Sequence, residues 1–510
     1  MSLAGLRRAP TLAGLAVLLG LAACRGADAP PPPTPGVDVR AYDVALRLDP
    51  ETLEAEGRAR LVVAHPDTLR RLRLGLGEAL TVTGVLVDGR RAAFTREGGR
   101  LNVPLGAADT SAVEIAYRGR VAEGVLRGEA AGQRVAFAEG WPTRTAGWLP
   151  AVHHPSDPAR LTLRIEVPAP YDVVASGVAA GVEEGDGWRR FTFRLDADAP
   201  VYTFAFAVAE RFRGVTDSAA TVPVRHALLG PGDVPGLART GAVLDTLIAL
   251  LGPYPYAAYT TVQVPMQYAG MENAAAPFLR ADLYRDPAAL EEVNIHEAVH
   301  QWFGNDVVPA DWRELWLSEG FATYLPTVVY ERLDGPERAR QGRVRMARLS
   351  GRHARRPLVP ASAQAPEALL TPTVYQKGGS VLHLLRLALG DDAFFRALRR
   401  LAAAYAERPL SSVALQTVLE EEVGQELDGL FDVWVYGDHI PTLETAWDAA
   451  RRRLTWRIEG DEGLLTDVPF ELLLRQDGRD VYVTATEGGA TLPGTDAPQV
   501  FPVGILLDVD

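Results

Sequence analysis

Two histidines bracket a glutamate in His296-Glu297-Ala298-Val299-His300, and eighteen residues separate His300 from Glu319. Helical positions i and i+4 lie one turn apart on one face, so His296 and His300 bring both imidazoles to a single ion and leave Glu297 beside it. A hydrolytic zinc needs three protein ligands and an open position for water. Glu319, in Trp316-Leu317-Ser318-Glu319-Gly320, supplies the third ligand from a second helix. The chemistry open to this set is metal-assisted hydrolysis, with one Zn2+ per chain and Glu297 as the base. A His/His/Glu set suits zinc best, with cobalt or manganese as in vitro substitutes.

The elements that must position these groups follow from periodicity. Short alternating strands at Tyr42–Leu48, Leu69–Leu76, Thr81–Val87, Val113–Tyr117, Leu161–Val167 and Phe191–Leu195 predict an antiparallel β domain over 38–215. A helix over Leu237–Leu251 and a strand ending at Glu272 lead into a mainly helical unit, so 216–440 reads as the catalytic domain. Alternation returns at Leu454–Ile458, Phe470–Leu474 and Val481–Ala485, predicting a small C-terminal β-sandwich over 441–510. The fold class is therefore multidomain α+β.

The segment from His296 to Tyr324, HEAVHQWFGNDVVPADWRELWLSEGFATY, follows QYAGMEN at 267–273 and precedes Tyr375-Gln376-Lys377-Gly378. In content and order these resemble the gluzincin aminopeptidases of the aminopeptidase N type, with their G-x-M-E-N strand, zinc helix, W-L-x-E-G-F-A helix and Y-x-K-G segment. The resemblance implies a thermolysin-like catalytic domain acting on peptides with a free N-terminus. It implies that Glu272 binds the substrate α-amino group, a carboxylate being what a cationic amine needs in a shielded site. Glu297 would move a proton from water to the leaving nitrogen, Tyr375 would donate a hydrogen bond to the oxyanion, and the backbone at Gly270 and Met271 would run beside the peptide. Two departures stand out. Ala269 replaces the first glycine of G-x-M-E-N, and the upstream Q-x-Q/E segment is replaced by Glu139-Gly140-Trp141, where Glu139 is the candidate second amine anchor. The large helical C-terminal domain of many relatives has no counterpart here, which implies a more open site. A zinc endopeptidase, which would not need Glu272, and a catalytically silent peptide-binding lipoprotein remain the alternatives.

Composition supports the same site. Lys377 is the only lysine, and the only asparagines are Asn102, Asn273, Asn294 and Asn305. Lys377 lies two residues from Tyr375, Asn273 follows Glu272, and Asn294 and Asn305 flank the zinc helix, so all but Asn102 cluster around the proposed centre. His65, His153, His154, His226, His353, His383 and His439 have no ligand spacing and read as surface or capping residues.

At the N-terminus, Arg7 and Arg8 precede an apolar run, Thr11–Ala23, that ends in Leu21-Ala22-Ala23-Cys24. This resembles a bacterial lipoprotein signal over 1–23, too short for a permanent span, which takes about 20 residues. Cys24 is the only cysteine, so an intramolecular disulfide and thiolate zinc ligation are both excluded. Lipidation of Cys24, with a Pro-rich tether over 24–37, places the protein in the bacterial cell envelope, on the periplasmic or outer-membrane face. A formal charge of −13 and the absence of a basic stripe argue against a nucleic-acid partner, and no obligate protein partner is expected.

Overall fold

The computed structural model describes residues 35–217, 220–460, 464–465, 468–485 and 489–509. The expected signal segment over 1–23, Cys24 and the expected tether up to residue 34 lie outside the described residues. Among the described residues no helix is long and apolar enough to cross a membrane.

The N-terminal unit is built on an eight-stranded sheet whose inner strands are Trp188–Pro200, Pro158–Pro168, Asp38–Leu48, Glu54–Ala64, Thr110–Arg120 and Leu80–Val87. Asp38–Leu48 alternates strictly enough to bury Tyr42, Val44, Leu46 and Leu48 on one face. The sheet departs from the all-antiparallel expectation at one pair: Asp38–Leu48 runs parallel to Pro158–Pro168. The chain leaves the sheet after its first strands and returns beside the first one in the same direction, which only a long excursion permits. A four-stranded sheet, ordered Asp172–Ala175, Phe206–Ala209, Gln133–Ala138, Val125–Ala130, leads the chain toward Trp141 and Tyr202 at the border with the catalytic unit.

The catalytic unit opens on a five-stranded sheet that begins with Arg213–Asp217 and ends with Gly270–Met271 at its edge. Behind it pack the helices Thr240–Leu251, Pro287–His300 and Trp316–Asp334. The helix carrying the pentad starts where Asp286 caps it, Oδ1 accepting from the Ala288 and Ala289 amides at 3.1 Å each, with Pro287 preset for the first turn. It is buried on nearly every side, through Leu290, Ile295, Ala298 and Val299, which holds its register firmly. The second ligand helix, Trp316–Asp334, buries Trp316, Phe321, Tyr324 and Leu325 and stops at Gly335, whose φ of 88° no β-branched residue would adopt readily. Stacked rings of Phe303 and Phe321, 3.9 Å apart, lock the two helices together. After Pro441 the chain forms a four-stranded and a three-stranded sheet, joined to the catalytic unit by the bidentate Arg340–Glu471 pair.

Four histidines expected at the surface are buried instead. His65 meets Ser111 Oγ at 3.0 Å, His154 meets Ser156 Oγ at 2.7 Å, His226 meets Thr261 Oγ1 at 2.8 Å, and His383 meets the Tyr324 hydroxyl at 3.1 Å. Each has a hydroxyl partner, and His65 also meets the Pro66 carbonyl, which lets a neutral imidazole sit in the core; such pairing is invisible in sequence spacing.

Candidate active site

His296, His300 and Glu319 converge as the spacing predicts. The two Nε2 atoms lie 3.1 Å apart, and Glu319 Oε2 lies 3.4 Å from His296 Nε2 and 3.5 Å from His300 Nε2. Ligand bonds of about 2.0–2.1 Å in a tetrahedron require ligand-to-ligand edges of roughly 3.3 Å, so these atoms already form three of its corners. Among the described residues Glu319 Oε2, which is buried, finds no hydrogen-bond donor, which a carboxylate oxygen tolerates when a cation is its partner. The fourth corner faces a cleft of about 280 Å³ lined by the three ligands, Glu272, Glu297 and Tyr375.

The support behind the ligands fixes their orientation. His300 Nδ1 donates to the Phe303 carbonyl at 3.1 Å and meets Ser318 Oγ at 3.0 Å, which leaves the Nε2 lone pair free for the ion. Gly304, at φ 129°, makes the return possible: a Cβ there would stand 2.5 Å from Ser318 Oγ. Neither Ser318 nor Gly304 was singled out by the sequence pattern, although both sit inside the motif segment.

Glu272 and Glu297 face each other across the centre. Glu272, Glu297 and His300 offer ligand-type atoms within 4.8 Å of one another. The Glu272 backbone carbonyl accepts from Gln301 Nε2 at 3.3 Å and from Asn305 Nδ2 at 2.6 Å, both just past the ligand helix. Tyr202, from the N-terminal unit, brings its phenol close to the Glu272 carboxylate, an interaction that opposes the rise burial causes there. Sequence reasoning missed Tyr202, because nothing in its neighbourhood marks it. Asn294 ties the ligand helix to its surroundings, donating to Thr240 Oγ1 at 3.0 Å and accepting from the Tyr259 hydroxyl at 2.9 Å. Two of the rare asparagines thus brace the centre directly.

Gly270 touches the base. A Cβ on Gly270 would fall 2.1 Å from Glu297 Oε1, so the edge strand can lie against that carboxylate only without a side chain. Met271 is buried beside it. Tyr375 lies in a single π-helical turn, Thr373–Lys377, its ring stacked on His296 at 6.2 Å and its phenol near the carboxylates of Glu319 and Glu272. A glycine pair sets that approach: a Cβ on Gly320 would meet the Gly378 backbone at 3.0 Å, and one on Gly378 would meet Gly320 Cα at 3.1 Å. Lys377 Nζ pins the turn from behind, donating to the Arg356 carbonyl at 2.5 Å.

Glu139 does not line the cleft. It is buried, with Oε1 ion-paired to Arg144 and Oε2 without a hydrogen-bond partner. Trp141, two residues on, is the side chain of that loop that does line it.

The electrostatics are those of a cation site. Burial raises Glu297 well above the ordinary carboxylate range and also raises Glu272, each rise opposed by the His300 charge. Burial disfavours a charged His300, yet Glu319, Glu272 and Glu297 together lift it to about 10. Three carboxylates converging on one point make a field that favours a cation there.

Comparison with known proteins agrees with this geometry. The peptidase family M1 domain matches residues 247–434. The M1 zinc metallopeptidase from Deinococcus radiodurans, 30% identical, covers 80% of this chain and 95% of that one with a TM-score of 0.71. The chain belongs to peptidase family M1. Among curated relatives, aminopeptidase B of Homo sapiens is 29% identical over 311 residues, 58% of this chain and 47% of that protein. The probable aminopeptidase 2 of Sulfurisphaera tokodaii is 22% identical over 452 residues, 82% of this chain and 56% of that one. The chain spans about half the length of the curated relatives it matches. As an M1 member it takes Zn2+ as cofactor, and His296, His300 and Glu319 are the residues that fit it.

Proposed function

We propose that this protein is a zinc-dependent aminopeptidase that removes N-terminal residues from peptides. The observation that carries the reading is the placement of Glu272: a buried carboxylate beside Tyr202, on a backbone whose carbonyl is held by Gln301 and Asn305, close to the base and to the ligand His300. Zinc, when bound, supplies Lewis acidity that lowers the pKa of water to about 7 and polarises a carbonyl. Glu272 binds the substrate ammonium and sets which peptide bond reaches the centre. A dication and an ammonium together balance the charges of Glu272, Glu297 and Glu319, so the substrate's free amine completes the site's neutrality. The Gly270–Met271 edge strand offers its unpaired backbone groups to an extended peptide. Glu297 takes a proton from the attacking water and hands it to the leaving nitrogen. Tyr375 donates its phenolic hydrogen to the developing oxyanion, a donor fixed in place before the substrate arrives.

The same fold in the Deinococcus relative has been solved with a Tyr-Ser-Ala substrate, which supports a peptide in this cleft. Chelation followed by zinc readdition tests the reading: activity on aminoacyl nitroanilides should vanish and return with one equivalent of zinc. Activity that survives full removal of metal contradicts it.

The lipobox ending at Cys24 supports a lipid-anchored protein of the bacterial cell envelope, with the Pro-rich tether holding the enzyme off the membrane. Cys24→Ser should move it from the membrane to the soluble fraction, and an unchanged distribution sinks this part. The two sheets over Thr442–Val509 support a small β-sandwich closing the C-terminal side.

A further inference from the structure

The cleft does not end at the metal. His300 is the ligand grouped with Glu272, so the amine end of a substrate lies at the C-terminal end of the ligand helix. His296 is one turn back, and Glu292 and Ala288, each four residues further back on the same face, continue the cleft wall. The leaving part of the peptide therefore runs toward the start of this helix. Its opposite wall is the helix Pro336–Ser350, which lines the cleft with Arg338, Gln341, Arg345, Met346 and Leu349.

Two arginines face this leaving side, and they differ in how they are held. Arg338 is committed: Nη1 donates to Asp334 at 2.8 Å, Nη2 to Glu291 at 2.9 Å, and its plane covers the Tyr330 ring at 3.6 Å. Arg345 donates Nη2 to Glu292 Oε1 at 2.5 Å, and its side chain is 46% exposed. A guanidinium has five donors and serves two carboxylates on separate edges, as Arg338 does beside it. Among the described residues Arg345 has no second carboxylate partner, and its side chain lines the cleft.

The spacing selects a substrate length. Four helical residues rise about 6 Å, so Glu292 and the guanidinium it holds stand roughly 6–10 Å beyond His296. An extended peptide advances about 3.3–3.6 Å per residue, so a carboxylate two residues past the scissile bond reaches that distance. Met346, Val293 and the 44%-exposed Leu349 give those two residues apolar cover.

Resting on the aminopeptidase reading above, we propose that Arg345 anchors the C-terminal carboxylate of short peptides and makes the leaving side of the cleft favour tripeptides. The test uses the full chain and matched di-, tri- and tetrapeptides sharing one N-terminal residue, each as free acid and as C-terminal amide. For the tripeptide, kcat/KM of the acid should exceed that of the amide on the order of tenfold, mainly through KM. The ratio should be smaller for the other lengths. Arg345→Gln should bring it to about 1 and Arg345→Lys should keep part of it, while an aminoacyl nitroanilide too short to reach Arg345 reports that the reaction centre is formed. A wild-type ratio near 1 at every length overturns the proposal, whether or not the variants fold, and so does a ratio that survives in Arg345→Gln. Failure to cleave any free-amine substrate, nitroanilide included, overturns the aminopeptidase reading itself, a result distinct from cleavage without carboxylate preference.

Discussion

Gly270→Ala is the sharpest perturbation the site offers. The residue lies in an extended edge strand, outside the left-handed region, so alanine's backbone preferences are not violated and the effect is steric alone. The added methyl would sit 2.1 Å from Glu297 Oε1, 2.6 Å from Cδ and 2.8 Å from Cγ, where ordinary contact begins at 3.4 Å. Either the carboxylate or the strand must retreat by about 1.3 Å, the difference between that contact limit and the closest approach. Misplacing a reacting group by about 1 Å costs on the order of 100-fold in rate, or roughly 2.7 kcal/mol of barrier. The expected result is a kcat on aminoacyl nitroanilides lowered by about 100-fold, with bound zinc unchanged because His296, His300 and Glu319 are untouched. Steady-state kinetics beside metal analysis separates the two. A kcat within threefold of wild type refutes the claim that Gly270 positions the base.

Other outcomes follow from the same geometry. Glu297→Gln should retain zinc and lose about 10²–10⁴-fold in kcat, the span of general acid–base catalysis, and full activity would remove Glu297 from the mechanism. Ser318→Ala should weaken zinc affinity by about 10–100-fold in a competitive chelator titration, because it removes a contact that orients His300. Unchanged affinity would leave the Phe303 carbonyl as the sole orienting partner. Away from the site, burial raises the Asp157 carboxyl to about 7, with the Val39 amide opposing the rise. A carboxyl raised on folding contributes stability fully present below its unfolded pKa near 3.8 and lost as pH rises toward about 7. Asp157→Asn, which keeps the Val39 acceptor, should therefore gain stability relative to wild type at pH 8 compared with pH 5, by about 2.7 kcal/mol, the two pH units between 5 and about 7. Denaturation midpoints at the two pH values check this, and a pH-independent difference contradicts it.

The chemistry was legible before the structure because it rests on helical spacing and on strongly typed residues. His296, His300 and Glu319 meet at tetrahedral distances, and Glu297, Glu272 and Tyr375 line the same cleft. What could not be read are contacts between segments far apart in the chain. Tyr202 reaches Glu272 from another unit, Gly320 and Gly378 meet across two helices, and Gly270 is fixed by a carboxylate 27 residues on. Each is an ordinary residue in its local sequence and is determined only by packing. The β domain followed the same rule. Strongly alternating strands such as Pro158–Pro168 were visible, whereas Glu54–Ala64 and Val178–Gly185 carry too many small or charged residues to stand out. The parallel pairing of Asp38–Leu48 with Pro158–Pro168 is a property of topology, which alternation does not encode.

The central claim is that Glu272 makes this centre select a free N-terminus. The direct measurement is hydrolysis of paired aminoacyl amides, free and N-acetylated, by the zinc-loaded protein. Cleavage confined to the free amine, and weakened in KM by Glu272→Gln, is the predicted result. Comparable cleavage of the acetylated partners would contradict it and identify an endopeptidase.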